Sequence, residues 1–381
     1  SHLKKNKHNI VFRCNESLQK SFFVNKKYVP FYQFIGRNSQ MQKELNESIY
    51  NLLKKIKNMN FSNILNKESS LLFKNWLSNL ISERFIEIAK IIDEIIYLAK
   101  KRKINLVLLD DSINTFERTI ALVCKKIGVS TMVIQHGLMG GAIPPITDYV
   151  LAFGEESKKK YVEIGFPKEK IIVTGSPQYD SLIEESGIAN RLKKSKKILY
   201  IVDAVNNNEL IPNYHLTKKE HKQILRLIYR IIKNNFPDYT LVVKGRKNWD
   251  LNNLPKFIAK QENFKNLEFL IETNKMELLK SADIVIIHYT TMGLEAMIFD
   301  KPIISIEFKG LEKWNNFNQM KSVNLVYNEK QLENAIKKSL NESEKDKKER
   351  EKTLKNELYK LDGKATQRAV NFINNLLNKN K

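Results

Sequence analysis

The chain has 381 residues, 65 Lys+Arg against 42 Asp+Glu, a formal net charge of +23 and a hydrophobic share of 42%. That apolar share excludes wholesale disorder, and at about 150 residues per domain the length predicts two domains. Two cysteines, Cys14 and Cys124, exclude a disulfide framework and fit a reducing compartment. No apolar run approaches the roughly 18 residues of a membrane-spanning helix, and no apolar signal region follows Ser1 to Lys5. The expected place is the cytoplasm, with peripheral attachment to the inner face of the membrane open. The positive field attracts nucleic acid, anionic lipid or phosphorylated small molecules, and charge alone does not choose among them or exclude a merely solvated surface.

In chain order, Ile10–Phe12 and residues 27–32 read as short strands or extended loop. Residues 41–103 are helical: Leu45, Ile49, Leu52, Leu53 and Ile56 recur at helical spacing, as do Phe85, Ile86, Ile88, Ile91, Ile92, Ile95 and Ile96. From residue 104 the rhythm changes. Strands at 104–109, 130–134, 149–153 and 171–173 alternate with helices at 115–126 and 155–164, which predicts βαβ units and a parallel sheet. Residues 189–197 are a polar, basic joint. A second series comes after it, with strands at 198–202, 239–243, 267–271, 284–287 and 303–306. Its helices fall at 217–235, 252–262, 275–281 and 291–299. Residues 329–381 read as helix interrupted at Asp362-Gly363, with Glu342 to Lys360 as a solvated mixed-charge face. The expected fold is α/β: two Rossmann-like, doubly wound domains facing a cleft. Their expected spans are 1–190 (with the helical region 41–103) and 191–330, followed by C-terminal helices at 331–381.

In open parallel sheets ligands bind beyond the carboxyl ends of the strands, so the residues just after each strand are the candidates. Gln135-His136-Gly137 follows the 130–134 strand, with Gly140-Gly141 close behind. Imidazole titrates near neutrality and suits a general base, and the glycines allow close backbone approach. Asp110 and Asp111 end the 104–109 strand. One of them could bind a sugar hydroxyl, orient His136, act as the base, or simply cap the next helix. They form no metal signature, because no third ligand is evident. Gly175 and Ser176 lie in the turn from Thr174 to Asp180. Lys244-Gly245-Arg246 sets two cations at a strand end, where a phosphate can be met.

The most informative stretch runs from Ala282 to Met297: a buried strand, then His288-Tyr289-Thr290-Thr291, then a helix carrying Glu295 one turn in. Free amides and the helix dipole favour phosphate at Thr290 and Thr291, Glu295 can accept ribose hydroxyls, and His288 at the strand end is a further candidate for nucleotide or phosphate binding. His215 and His221 read as structural or surface residues. No Gly-x-Gly-x-x-Gly, Walker, zinc or Gly-x-Ser-x-Gly pattern is present, so no cofactor and no metal is expected. No nucleic-acid motif is present either.

Together these motifs resemble GT-B glycosyltransferases of surface and capsular polysaccharide synthesis, including the CDP-glycerol glycerophosphotransferase-like group. The resemblance rests on Val133 to Gly137, Val173 to Asp180, Ala282 to Ile304 and Asp362 to Arg368. It covers roughly residues 104–377. It implies that the N-terminal domain receives the acceptor, that the C-terminal domain holds a nucleotide-sugar donor, and that the last helix returns to the first domain. It also implies metal-independent transfer to a glycan or lipid-linked acceptor. The basic charge leaves an anionic membrane surface open as a further partner, which is compatible with a lipid-linked acceptor. His136 matches the family's cleft histidine and would be the acceptor base. Thr290 and Thr291 would contact donor phosphate, Glu295 the ribose, and Lys244 and Arg246 the leaving phosphate. Glycerophosphotransferases have a His-Pro pair where this chain has Lys244-Gly245-Arg246, which favours sugar transfer over glycerophosphate transfer. The Gly-Ser-Pro…Asp turn is shared with hydrolysing sugar-nucleotide 2-epimerases, the alternative reaction on this fold.

Overall fold

The computed structural model describes residues 10–12, 39–61, 64–102, 104–110, 113–138, 143–189, 195–205, 215–247, 251–308 and 316–379. Asp111, Gly140, Gly141 and the 27–32 segment lie outside them. Helices α1 (Ser39–Asn58) and α2 (Lys67–Asn79) form a hairpin, and a π-helical turn at Leu80–Phe85 leads into α3 (Ile86–Arg102).

Next comes a five-stranded sheet, ordered β1 (Ile10–Phe12), β2 (Leu106–Leu109), β3 (Ser130–Ile134), β4 (Tyr149–Ala152) and β5 (Ile171–Val173). Every pair is parallel. Both faces are covered, so the strands are apolar throughout rather than alternating. Val107, Leu109, Val133 and Val150 pack against Ile91, Ile95 and Leu98 of α3 and Ile120 and Cys124 of α4 (Thr115–Lys126). The alternate side chains, Leu106, Leu108, Met132 and Leu151, meet Ala369, Ile373 and Leu377 of the last helix, α13 (Ala365–Lys379).

The second sheet holds β6 (Lys197–Ile201), β7 (Thr240–Lys244), β8 (Leu267–Leu270), β9 (Ile284–Ile287), β10 (Ile303–Ile306) and β11 (Val323–Val326). Its order is β11-β10-β9-β6-β7-β8, parallel throughout. The chain winds outward from β6 to β8, then returns to the other side of β6. The direction therefore reverses between β6 and β9, which opens a crevice beyond their carboxyl ends. One face carries α7 (Lys218–Asn235), α8 (Leu254–Gln261) and α11 (Glu329–Leu340). The other packs α9 (Lys275–Ser281), α10 (Met292–Ile298) and α12 (Glu344–Leu358), together with Phe153, Tyr179 and Leu182 from the first half of the chain.

Two sequence expectations need correction. β11 is an additional edge strand. Its Val-Asn-Leu-Val run is only half-buried, so it lacks the continuous apolar signal of its neighbours. The 342–360 segment is solvated on one face only. Ser343 starts α12 with a capping box to Asp346, and the helix buries Arg350, Leu354, Glu357 and Leu358. The Arg350 guanidinium grips Glu342 at 2.5 and 2.8 Å and Asp300 at 2.9 Å, so a charged sequence hides a buried cation held by two carboxylates.

The C-terminal helices are fastened to the first half of the chain by α6 (Asp180–Ala189) and the turn before it. Asp180 accepts the free amides of Ala365 and Thr366 at 2.9 and 2.8 Å and so caps α13 from a distant point in the chain. Arg368 donates to the Thr174 carbonyl at 2.7 Å and to both Asp362 oxygens at 2.8 Å. Gly175 has φ +82°, and a Cβ there would lie 3.0 Å from the Ala365 methyl, so only glycine fits. Asp180→Ala is expected to lower stability by about 1–2 kcal/mol through loss of this cap, read as a lower denaturant midpoint.

Glu357 provides a pH test. It is buried where α12 packs on α5 (Glu155–Glu163). Burial raises its pKa to about 7, Lys160 opposes the shift and Glu156 adds to it. Between its ordinary 4.5 and about 7, the folded protein therefore holds a proton that the unfolded chain has released. Stability from this group is present at low pH and is lost as pH rises through that window. Glu357→Gln should remove the slope. Melting curves of both proteins at pH 5 and pH 8 should diverge by up to about 3 kcal/mol in the variant's favour at the higher pH.

Candidate active site

The crevice at the β6/β9 switch point is lined by the turns that leave the carboxyl ends of the strands. After β9 come His288, Tyr289, Thr290 and Thr291, the last being the N-cap of α10. The Thr290 hydroxyl accepts from the Met292 amide at 3.4 Å. Glu295, one turn into α10, is buried, and its carboxylate meets the Lys275 ammonium at 2.8 Å. Burial raises the Glu295 pKa and Lys275 opposes that shift. The Tyr179 hydroxyl, from the turn after β5, is pushed above the ordinary tyrosine range by burial first and by the charge of Glu295 second.

The loop after β3 approaches this turn from the first sheet. A Cβ placed on Gly137 would lie 3.6 Å from the Thr291 methyl carbon. The loop is held from three sides. Buried Gln135 donates to the Gly137 carbonyl at 2.8 Å and to Ser157 at 3.0 Å, and its oxygen accepts the Phe153 amide at 2.9 Å. Gln178 donates to the His136 carbonyl at 2.8 Å. His136 itself is exposed, with Nδ1 2.5 Å from the Asp110 main-chain oxygen. A carbonyl only accepts, so Nδ1 carries the hydrogen, and in the neutral ring Nε2 is the nitrogen with the lone pair. Asp110 thus orients His136 through its backbone rather than its carboxylate.

After β6 the sequence reading missed a pair. Asp203 is buried, and its two oxygens each lie 3.0 Å from Nδ1 of half-buried His215. Oδ1 also accepts the Ala204 amide at 2.7 Å. The His215 ring stands T-shaped to Tyr289, 6.3 Å between centroids, so the pair borders the β9 turn. His215 is therefore not merely a surface residue. His221 is structural: it is fully buried, and burial pushes its pKa down to about 4.

Several expected site residues are engaged in the scaffold. Lys244 turns its ammonium onto the Gly245 and Ile271 carbonyls, 2.7 Å each, and burial lowers its pKa. Arg246 beside it is exposed. His288 is buried, with Nδ1 bonded to the Ile306 carbonyl at 2.7 Å, which ties the end of β9 to β10. Gly175 faces the C-terminal helices, and Ser176 is buried. Among the described residues no group of acidic, histidine or cysteine side chains is arranged to hold a metal ion.

The UDP-N-acetylglucosamine 2-epimerase family profile matches residues 141–374, more than half of the chain. The chain belongs to this family. No curated protein matches it. The UDP-GlcNAc 2-epimerase of Neisseria meningitidis, solved with UDP-GlcNAc, shares 16% identity at a TM-score of 0.55, covering 76% of this chain and 81% of its own. That of Methanocaldococcus jannaschii shares 19% at 0.51, covering 75% and 82%. A glycosyltransferase from Rickettsia africae shares 14% at 0.50, covering 78% and 83%. At these identities the solved structures establish the GT-B-like fold that the two parallel sheets already display. Family membership adds that this is an enzyme of nucleotide-sugar chemistry. The narrower resemblance to the CDP-glycerol group is not what the family match supports.

Proposed function

We propose that this family member is a metal-independent glycosyltransferase that moves a sugar from a uridine diphosphate donor to a hydroxyl of a glycan or lipid-linked acceptor. The observation behind this reading is the fixed tautomer of His136. Its Nε2 lone pair sits on a loop in contact range of Thr291, with Nδ1–H bound to the Asp110 carbonyl. A single oriented base suits removal of one proton from an acceptor hydroxyl. The acceptor oxygen then bonds the anomeric carbon, the bond from that carbon to the diphosphate breaks, and the electron pair leaves with the phosphate. Thr290, Thr291 and Arg246 would face the leaving diphosphate, and His215, braced by Asp203, would donate to it from the β6 side. Glu295 would exchange Lys275 for ribose hydroxyls. In this reading residues 1–190 form the acceptor side, 191–330 the donor side, and 331–381 the return to the first domain.

The family match favours a second reading, a hydrolysing 2-epimerase. That reaction must take a proton from carbon 2 and return one to the opposite face. The β3 loop offers His136 for this, whereas Gln135 is fully engaged. Incubation with UDP-N-acetylglucosamine alone separates the two. The transferase should be stabilised thermally by the donor and release UDP rapidly only when an acceptor is added. Fast acceptor-free release of UDP with N-acetylmannosamine would establish the epimerase. Absence of any thermal shift with UDP or its sugars would overturn both.

A further inference from the structure

The α1–α2 hairpin lies outside the family match, and none of the crevice residues described above comes from it, yet its surface is unusual. No residue of α2 is buried. Leu77 faces a small hairpin core of Ile49, Ile56 and Ile81. Leu71, Leu72 and Trp76 point elsewhere, with 60, 64 and 59% of their surface exposed, and Ile64 in the connection is 82% exposed. Phe73 links Trp76 to Phe61, stacked at 5.8 Å and edge-on at 5.1 Å, so the three rings form one group. Four large apolar side chains exposed within thirteen residues of one helix and the turn before it are more than the single exposed residues usual on a surface, and they point to an interaction site.

Charge identifies the occupant. From residue 54 to residue 76 the chain has five lysines (Lys54, Lys55, Lys57, Lys67 and Lys74) against one acid, Glu68. Lys54 and Lys55 line an open depression with Asn51, Asn58 and Met59 at the same end of the hairpin. A second copy would set two such cationic surfaces together in a protein already at +23. Nucleic acid would answer the lysines but not Ile64, Leu71 and Leu72. A bilayer with anionic headgroups answers both, since aliphatic side chains enter the acyl boundary, Trp sits at headgroup depth and lysines meet lipid phosphate. We infer that the hairpin, through Ile64, Leu71, Leu72 and Trp76 and the lysines of the same segment, docks this enzyme on an anionic membrane surface. The inference is independent of which sugar reaction the crevice performs.

Co-sedimentation with phosphatidylcholine vesicles, with and without phosphatidylglycerol, tests it. The protein should bind the mixed vesicles and not pure phosphatidylcholine. Leu72→Ser/Trp76→Ser and Lys54→Glu/Lys55→Glu should each weaken that binding by about tenfold or more. Donor-induced thermal shifts should stay as in the parent, since neither pair touches the crevice. Unchanged binding of the apolar variant would mean diffuse charge attraction and would overturn the proposal. So would failure of the parent to bind, or a parent dimer that the apolar variant dissociates. Should the double variant fold poorly, brominated lipid gives the answer with little change in size. It should quench fluorescence in the parent and lose most of that effect in Trp76→Phe, and equal quenching in both would again overturn the idea.

Discussion

His136→Ala should lower kcat/KM for transfer by about 100- to 10,000-fold, the range expected when a positioned general base is removed. Binding of the nucleotide should persist, because His136 is on the first-sheet side and its own loop is held by other residues. Gln135 keeps its bonds to Gly137, Ser157 and Phe153 in the variant. Gln178 still donates to the backbone carbonyl at position 136. Donor-induced thermal shifts and single-turnover rates, measured side by side, separate the two effects. Near-normal turnover would remove His136 from the mechanism, and loss of the thermal shift would make it a binding residue instead. His136→Gln is the sharper companion. Its amide can still donate to the Asp110 carbonyl, but it cannot take a proton, so it should match the alanine variant in rate.

The scaffold was legible because the central strands are buried on both faces and most of the helices packed on them are striped. The 130–134, 171–173, 284–287 and 303–306 strands lie where the apolar runs end in polar or glycine residues. Strand order was not legible. The alternation says only that strands are parallel, while the reversal between β6 and β9 depends on which neighbour the returning strand finds. Asp203 was therefore overlooked: at the end of Val202-Asp203-Ala204 it looks like any loop acid, until the order places it beside Tyr289 and His215 closes on it. The Gly-Ser-Pro…Asp turn illustrates the converse. Its residues are distinctive in sequence because Asp180 and Gly175 receive a helix that starts 185 positions further on. Lys244 and His288 were located correctly at strand ends, but the backbone carbonyls they satisfy cannot be read from a linear sequence.

The second large effect is expected at that overlooked pair. His215→Ala should weaken binding of a nucleoside diphosphate by about 10- to 100-fold, the span of one lost hydrogen bond to a charged group. Binding of the uncharged nucleoside should be unaffected, because the lost contact is to phosphate. Asp203→Asn is the more discriminating change. The carboxylate accepts Nδ1–H of His215 with both oxygens and the Ala204 amide with one. An asparagine oxygen at the Oδ1 position can keep the Ala204 amide and one contact to Nδ1–H, whereas its NH2 at the Oδ2 position would face Nδ1–H at the same distance, donor against donor. The ring would then turn or switch tautomer, and diphosphate affinity should fall although His215 is still present. Calorimetric titrations of UDP and uridine against both variants would show this pattern. Equal losses for UDP and uridine would mean that the pair only braces the β6 turn. Unchanged UDP affinity in His215→Ala would take the dyad out of the donor site and leave phosphate recognition to the β9 turn and Arg246.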